Sequence, residues 1–104
     1  MSQLKPTVAI LGASVDRAKF GNISVRAHAQ QGYTVYPVNP KADAVEDHTA
    51  YAKLEDIPVE KLDRISVYLP PHILLTVLEE IAKVPHDELW LNPGTESDLS
   101  LIHI

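Results

Sequence analysis

Val8-Ala9-Ile10-Leu11 runs without a polar side chain straight into Gly12. A strand wetted on one face alternates apolar with polar residues, whereas a strand covered on both faces is apolar throughout. Thr7–Gly12 is therefore read as a strand buried on both sides. Such a strand needs a layer packed on each face of its sheet. The elements further along the chain decide how those layers are supplied.

Ala13 to Gly21 reads as a polar loop. Asn22, a favoured helix cap, is expected to open a helix over Ile23–Gln31 that Gly32 stops. Tyr33–Val38 is β-branched and aromatic and forms a second strand, with Pro37 near its end and Pro40 closing it. Lys41–Asp47 is a loop, His48–Ala52 a short third strand, and Leu54–Pro58 at most a helical turn. Arg64–Leu69 is an apolar strand ended by Pro70-Pro71. The next helix starts at or just after Pro71, where a proline removes only a hydrogen-bond donor that has no helical partner. Ile73, Leu74, Val77, Leu78, Ile81 and Ala82 give that helix one apolar face, read as core. Asp87–Leu91 is the last clear strand, and Pro93-Gly94 turns the chain away. Strand, helix, strand, strand, helix, strand with buried-type strands is the pattern of an α/β class chain. It predicts three layers, a mostly parallel sheet with helices on both faces.

Residues 1–104 make one domain, long enough to hide roughly two thirds of the surface of its extended chain. Hydrophobic residues make up 45% and charged residues 22%, an ordinary balance for a soluble globular chain. The absence of cysteine excludes disulfides and thiolate chemistry and fits a cytoplasmic setting. The longest apolar runs are far too short to span a membrane, and the N-terminus lacks the form of a signal peptide. The net charge of −5 is uneven: residues 1–41 hold five of the nine bases and one of the fourteen acids. An acidic chain argues against nucleic acid or an anionic membrane as partner, while its cationic first part suits a small anionic ligand.

In open α/β sheets ligands lie beyond the carboxyl ends of the strands. Here those ends read Gly12-Ala13-Ser14, Asn39-Pro40-Lys41, Leu69-Pro70-Pro71 and Asn92-Pro93-Gly94. The first leads through Gly21 and Asn22 into a helix, and unpaired N–H groups at such a turn favour phosphate. Ser14 adds a hydroxyl, and Arg17 and Lys19 add charge. The Gly-x-Gly-x-x-Gly dinucleotide fingerprint is missing, since Ser14 stands at its second glycine. The second strand also lacks the acid that grips a free ribose diol, and ends in Lys41 instead. That counts against NAD and towards a ribose phosphate, as in coenzyme A or NADP. His72, at a helix start beyond a strand end, is the one histidine expected near the ligand, touching it or water. No metal-ligand spacing, nucleophile elbow or catalytic triad is present, so no catalytic and no metal residue is assigned.

With these loops in place the chain resembles the CoA-binding domain family, small stand-alone relatives of the N-terminal domain of the succinyl-CoA synthetase alpha subunit. The resemblance rests on residues 8–14 (Val-Ala-Ile-Leu-Gly-Ala-Ser), on Phe20-Gly21-Asn22, and on the stretch from Gly32 to Lys41. Leu69-Pro70-Pro71 and Leu89–Gly94 match more loosely. It implies a Rossmann-like domain in which Gly12, Ala13 and Ser14 line the pyrophosphate of coenzyme A, with Lys19 nearby. Asn39, Pro40 and Lys41 would hold the adenosine and its 3′-phosphate. Leu69, Pro70 and Pro71 would flank the adenine, and Asn92 and Gly94 the pantetheine. Family members continue past the Pro-Gly turn with a helix and a closing strand. The tail Leu99–Ile104 does not resemble that strand, so the closing helix and strand are expected to be incomplete. Glu88–Leu91 would then be a sheet edge open to a second copy. The function expected is non-catalytic binding of coenzyme A or acyl-CoA. The alternatives are an NAD(P)- or other adenine-nucleotide-binding sensor module, and a subunit of an enzyme that uses acyl-CoA.

Overall fold

The computed structural model describes residues 5–92. In chain order it contains β1 (Thr7–Leu11), α1 (Phe20–Gln30), β2 (Thr34–Val38), β3 (Ala44–Val45), β4 (His48–Thr49), a 3-10 turn (Leu54–Asp56), β5 (Leu62–Val67), α2 (Pro71–Lys83) and β6 (His86–Leu91). Four strands make one parallel sheet in the order β2-β1-β5-β6, and β3 and β4 form a separate antiparallel hairpin. This is the Rossmann-like α/β architecture.

β1 lies between β2 and β5, and its side chains divide between two cores. Val8 and Ile10 pack with Val25 of α1 and Val35. Ala9 and Leu11 pack with Ile65, Val67, and Leu74 and Ile81 of α2. Val8, Ala9, Ile10 and Leu11 are essentially inaccessible to water, which is why no polar side chain interrupts the run. The N-terminal end of the sheet is fastened by Asp63. Its carboxylate accepts from the Thr7 amide at 2.7 Å and from the Thr7 hydroxyl, which in turn accepts from the Asp63 amide at 3.0 Å.

Four local expectations are corrected. Helix α1 starts at Phe20, capped by the backbone of Lys19 without a side-chain bond. Asn22 is not its cap; the side chain is fully buried and donates to the Ser14 carbonyl at 2.8 Å and to Glu46 Oε2 at 3.1 Å, while accepting from Arg26 Nε at 2.8 Å. Three partners at a buried position outweigh one cap bond. His48–Ala52 is not a third strand of the sheet, because His48-Thr49 folds back on Ala44-Val45 and Tyr51 alone bridges to Val38. β5 runs from Leu62 to Val67 instead of from Arg64 to Leu69, and its ladder to β1 closes with the Tyr68 amide on the Leu11 carbonyl. On α2, Leu74 and Ile81 are buried but Ile73, Leu78 and Ala82 are exposed. The end of α1 is as read: Gly32, at φ +92°, lets its own amide reach the Ala29 carbonyl and the Tyr33 amide the His28 carbonyl.

On the α1 face, Arg64 joins the two halves of the domain. Its guanidinium lies 4.6 Å from the Trp90 ring centroid and 5.2 Å from that of Tyr33, pairs with Glu88 at 2.7 Å, and meets His28 Nε2 at 3.1 Å. Arginine only donates, so His28 Nε2 must accept and Nδ1–H must donate to the Ser24 carbonyl, 2.9 Å away. Burial, with help from the Arg64 charge, lowers the His28 pKa below its ordinary 6.5 despite the Ser24 carbonyl. The unfolded chain thus binds the proton more readily than the folded one. This group's contribution is fully present above about pH 6.5 and is lost as pH falls through the lower folded value. The His28→Gln variant, which can still accept from Arg64, is expected to lose less stability than wild type between pH 7 and 5. Chemical denaturation at both pH values measures this, and equal losses would refute it.

Candidate functional site

The connection from β1 crosses to β2 on one side and that from β5 to β6 on the other, so the sheet order reverses between β1 and β5. A crevice opens beyond the carboxyl ends of strands at such a point. Here it consists of two adjoining hollows of about 330 and 420 Å³ that share Gly12, Ala13, Asn39 and Leu69. The first is largely apolar, walled by Val38, Pro40, Ile73 and Val77, with Lys41 and Glu80 at its border. The second is more polar and contains Ser14, Lys19, Gly21 and Pro70.

Two glycines make the turn between these hollows possible. Gly12 has φ +86°, and a Cβ there would run into the Tyr68 carbonyl. A Cβ on Gly21 would run into the Gly12 carbonyl, so α1 begins in direct backbone contact with the end of β1. The loop between them is fixed by short bonds. The Asp16 amide donates to Ser14 Oγ at 3.0 Å, leaving the Ser14 proton free to donate outwards. Asp16 Oδ1 accepts from the Ala18 amide, and Arg26 Nη2 donates to the Arg17 carbonyl at 2.8 Å. Asn39 ties the second loop to the first, its amide donating to the Ala13 carbonyl at 2.9 Å while its oxygen accepts from the Lys41 amide at 2.8 Å.

Nine residues singled out in the sequence come together in this crevice: Gly12, Ala13, Ser14, Lys19, Asn39, Pro40, Lys41, Leu69 and Pro70. Arg17 lies outside its lining, against Glu46 at 3.3 Å. Pro71 is the first residue of α2, and the exposed His72 comes next; neither lines the crevice. Asn92 belongs to another hollow, on the α1 face, where its amide donates to Ser66 Oγ at 2.8 Å and to the Val67 carbonyl. Gly94 is outside the described residues. Of the lining residues that sequence reasoning did not assign to the site, Ile73, Val77 and Glu80 come from α2. The first two belong to the α2 stripe read wholly as core, and periodicity alone does not separate a residue under the sheet from one that walls a crevice beside it. Glu80 Oε1 accepts from the Leu54 amide at 3.2 Å, which holds that carboxylate at the rim.

The crevice offers two ammonium groups, one free hydroxyl proton and an apolar slot. Its described lining residues include no histidine, and Glu80 is their one carboxylate. Equipment of that kind suits an anionic, partly apolar molecule.

The chain is 34% identical over 79 residues to an ADP-forming acetate–CoA ligase (II) of Archaeoglobus fulgidus, a match covering 74% of this chain and 12% of that protein. The chain thus spans about an eighth of the length of that relative. Among solved structures it is similar to a conserved hypothetical protein of Pyrococcus furiosus, with TM-score 0.77 and 30% identity, covering 96% of this chain and 84% of the other. It is also similar to the dinucleotide-forming acetyl-coenzyme A synthetase 1 of Ca. Korarchaeum cryptofilum, with TM-score 0.65 and 29% identity, over 77% of this chain and 18% of that one. The CoA binding domain model matches residues 6–101, nearly the whole chain, and the chain belongs to the CoA binding domain family.

Proposed function

We propose that this chain binds coenzyme A or an acyl-CoA in the crevice beyond β1 and β2, and does not itself transform it. The observation that carries the reading is the pairing of an apolar slot, with Lys41 and Glu80 at its border, with a polar hollow that holds Lys19, Ser14 and open backbone and, among its described lining residues, no acid. A coenzyme A molecule has the matching parts, a flat apolar base joined to a charged pyrophosphate. The turn Gly12-Ala13-Ser14, with Lys19, faces the pyrophosphate. The base enters between Pro40 and the Ile73–Val77 side of α2, flanked by Leu69 and Pro70. Lys41, at the border of the slot, takes the ribose 3′-phosphate. Names of similar proteins, an acetate–CoA ligase and an acetyl-coenzyme A synthetase, support the same ligand. They also favour a second reading, in which this chain is the coenzyme A-holding part of a larger acyl-CoA enzyme. Turnover appearing only when a separate subunit is added would establish that reading.

Calorimetric titration tests the ligand and its orientation together. Wild type is expected to bind coenzyme A more tightly than dephospho-CoA by about ten- to a hundredfold, the worth of a hydrogen bond to a charged group. NAD should bind more weakly than coenzyme A. In Lys41→Ala the preference for the 3′-phosphate should vanish, and in wild type it should shrink with salt, because Lys41 is exposed. Equal binding of coenzyme A and NAD, or none of coenzyme A, refutes the assignment. A mutant that still discriminates moves the phosphate away from Lys41.

A further inference from the structure

The hairpin of β3 and β4 turns through two residues, Glu46 and Asp47, with Val45 paired to His48 across it. Both turn residues have positive φ, +50° and +70°. A two-residue turn of this kind is most at ease with Asn-Gly, and side chains such as Glu and Asp are strained there. For Glu46 the structure supplies a compensation. Its Oε2 accepts from the fully buried Asn22 amide at 3.1 Å and from Arg17 Nε at 3.3 Å. The same Asn22 amide nitrogen donates to the Ser14 carbonyl, and the Asn22 oxygen accepts from Arg26, which holds the Arg17 carbonyl. Two points of the Ala13–Lys19 loop, Ser14 and Arg17, are thus braced from below by one buried amide. Glu46 is the second acceptor of that amide, beside the Ser14 carbonyl, and satisfies the N–H that Ser14 does not take.

We infer that Glu46 is a positioning residue for the ligand loop: the hairpin carries turn strain in order to present a carboxylate to Asn22, which sets the Ser14 turn for its ligand. Without that acceptor one Asn22 N–H is left unpaired in a buried site. The amide then rotates to find another partner and releases the Ser14 carbonyl. The inference rests on the coenzyme A reading for its affinity arm alone.

Three variants separate this role from simple hairpin stability. Asp47→Gly relieves strain and touches nothing in the loop; it should raise Tm by about 4 °C and leave binding and loop protection unchanged. Adding Glu46→Asn suits the turn further, but its shorter side chain cannot reach Asn22. In this double variant the Asp16, Ala18 and Lys19 amides should exchange about tenfold faster, and coenzyme A should bind about tenfold more weakly, although the hairpin's own strain is lower. Adding Glu46→Gln instead keeps an acceptor of the right length and should restore both to within about twofold. Residue-resolved hydrogen exchange without ligand and calorimetry with coenzyme A are the readouts. Loop exchange unchanged in the Asn variant, or equally fast in the Gln variant, overturns the inference. Failure of wild type to bind coenzyme A overturns the functional reading, and the exchange measurement still decides the role of Glu46.

Discussion

Gly21→Ala is expected to lower Tm by about 10 °C and to remove ligand binding with it. The added methyl would occupy space held by the Gly12 carbonyl, and both partners are backbone, so neither can rotate away. Overpacking of this kind costs about 3 kcal/mol at the upper end of its range. Alanine is the better helix former by about 1 kcal/mol, which leaves a net loss of about 2 kcal/mol. For a domain of this length each kcal/mol moves Tm by about 4–8 °C. Separation of α1 from β1 to admit the methyl also spoils the turn at Ala13 and Ser14. Gly32→Ala is the control, because nothing lies within 4 Å of its Cβ and only the positive φ opposes the change; it should lose about 1 kcal/mol. Thermal unfolding followed by circular dichroism compares the two. Equal losses would show that the contact between Gly21 and Gly12 carries no special weight.

Ser14→Trp should leave the fold standing and reduce coenzyme A affinity by at least about a hundredfold, equivalent to about 2.8 kcal/mol. The side chain of Ser14 borders the polar hollow, and only its backbone oxygen is tied to the core, through Asn22. An indole there fills space that the proposed pyrophosphate needs. The fold loses little more than the bond from the Asp16 amide to Ser14 Oγ. Titration of a variant whose circular dichroism and Tm match wild type gives the answer. Retained affinity would take this loop out of the site.

Sheet class, helix positions and most of the crevice were legible because each rests on short-range signals. The unbroken apolar run of β1, the glycine after α1 and the proline at the start of α2 act through their own backbone or their nearest turn. Asn22 was misread because the same residue type serves two purposes. Its rank as a cap is local knowledge, whereas its actual partners include Glu46, 24 residues further on. The hairpin Ala44–Thr49 was invisible for a related reason: Glu46-Asp47 lacks the Asn-Gly chemistry that announces such a turn, and the contact that tolerates the strain is tertiary. Among the site residues, those on strand-end loops came from the topology rule. Asn92 sits at a strand end too, yet it turns towards Ser66 on the α1 face. The ladder to β5 continues through the Asn92 amide, and the alternation of β6 puts Asn92 on the face of Trp90, away from the crevice.

The bond between Thr7 and Asp63 spans 56 residues, and it has a consequence for how the chain is made. β1 leaves the ribosome ahead of the other strands of its sheet, but its second neighbour, β5, is complete only at Val67. At about 5–20 residues per second, that interval lasts roughly 3–11 s. Throughout it Val8-Ala9-Ile10-Leu11 has at most β2 beside it, with one backbone edge and one apolar face uncovered. The nascent chain therefore displays a short β-prone segment of the kind that chaperones bind and that pairs with its own copies.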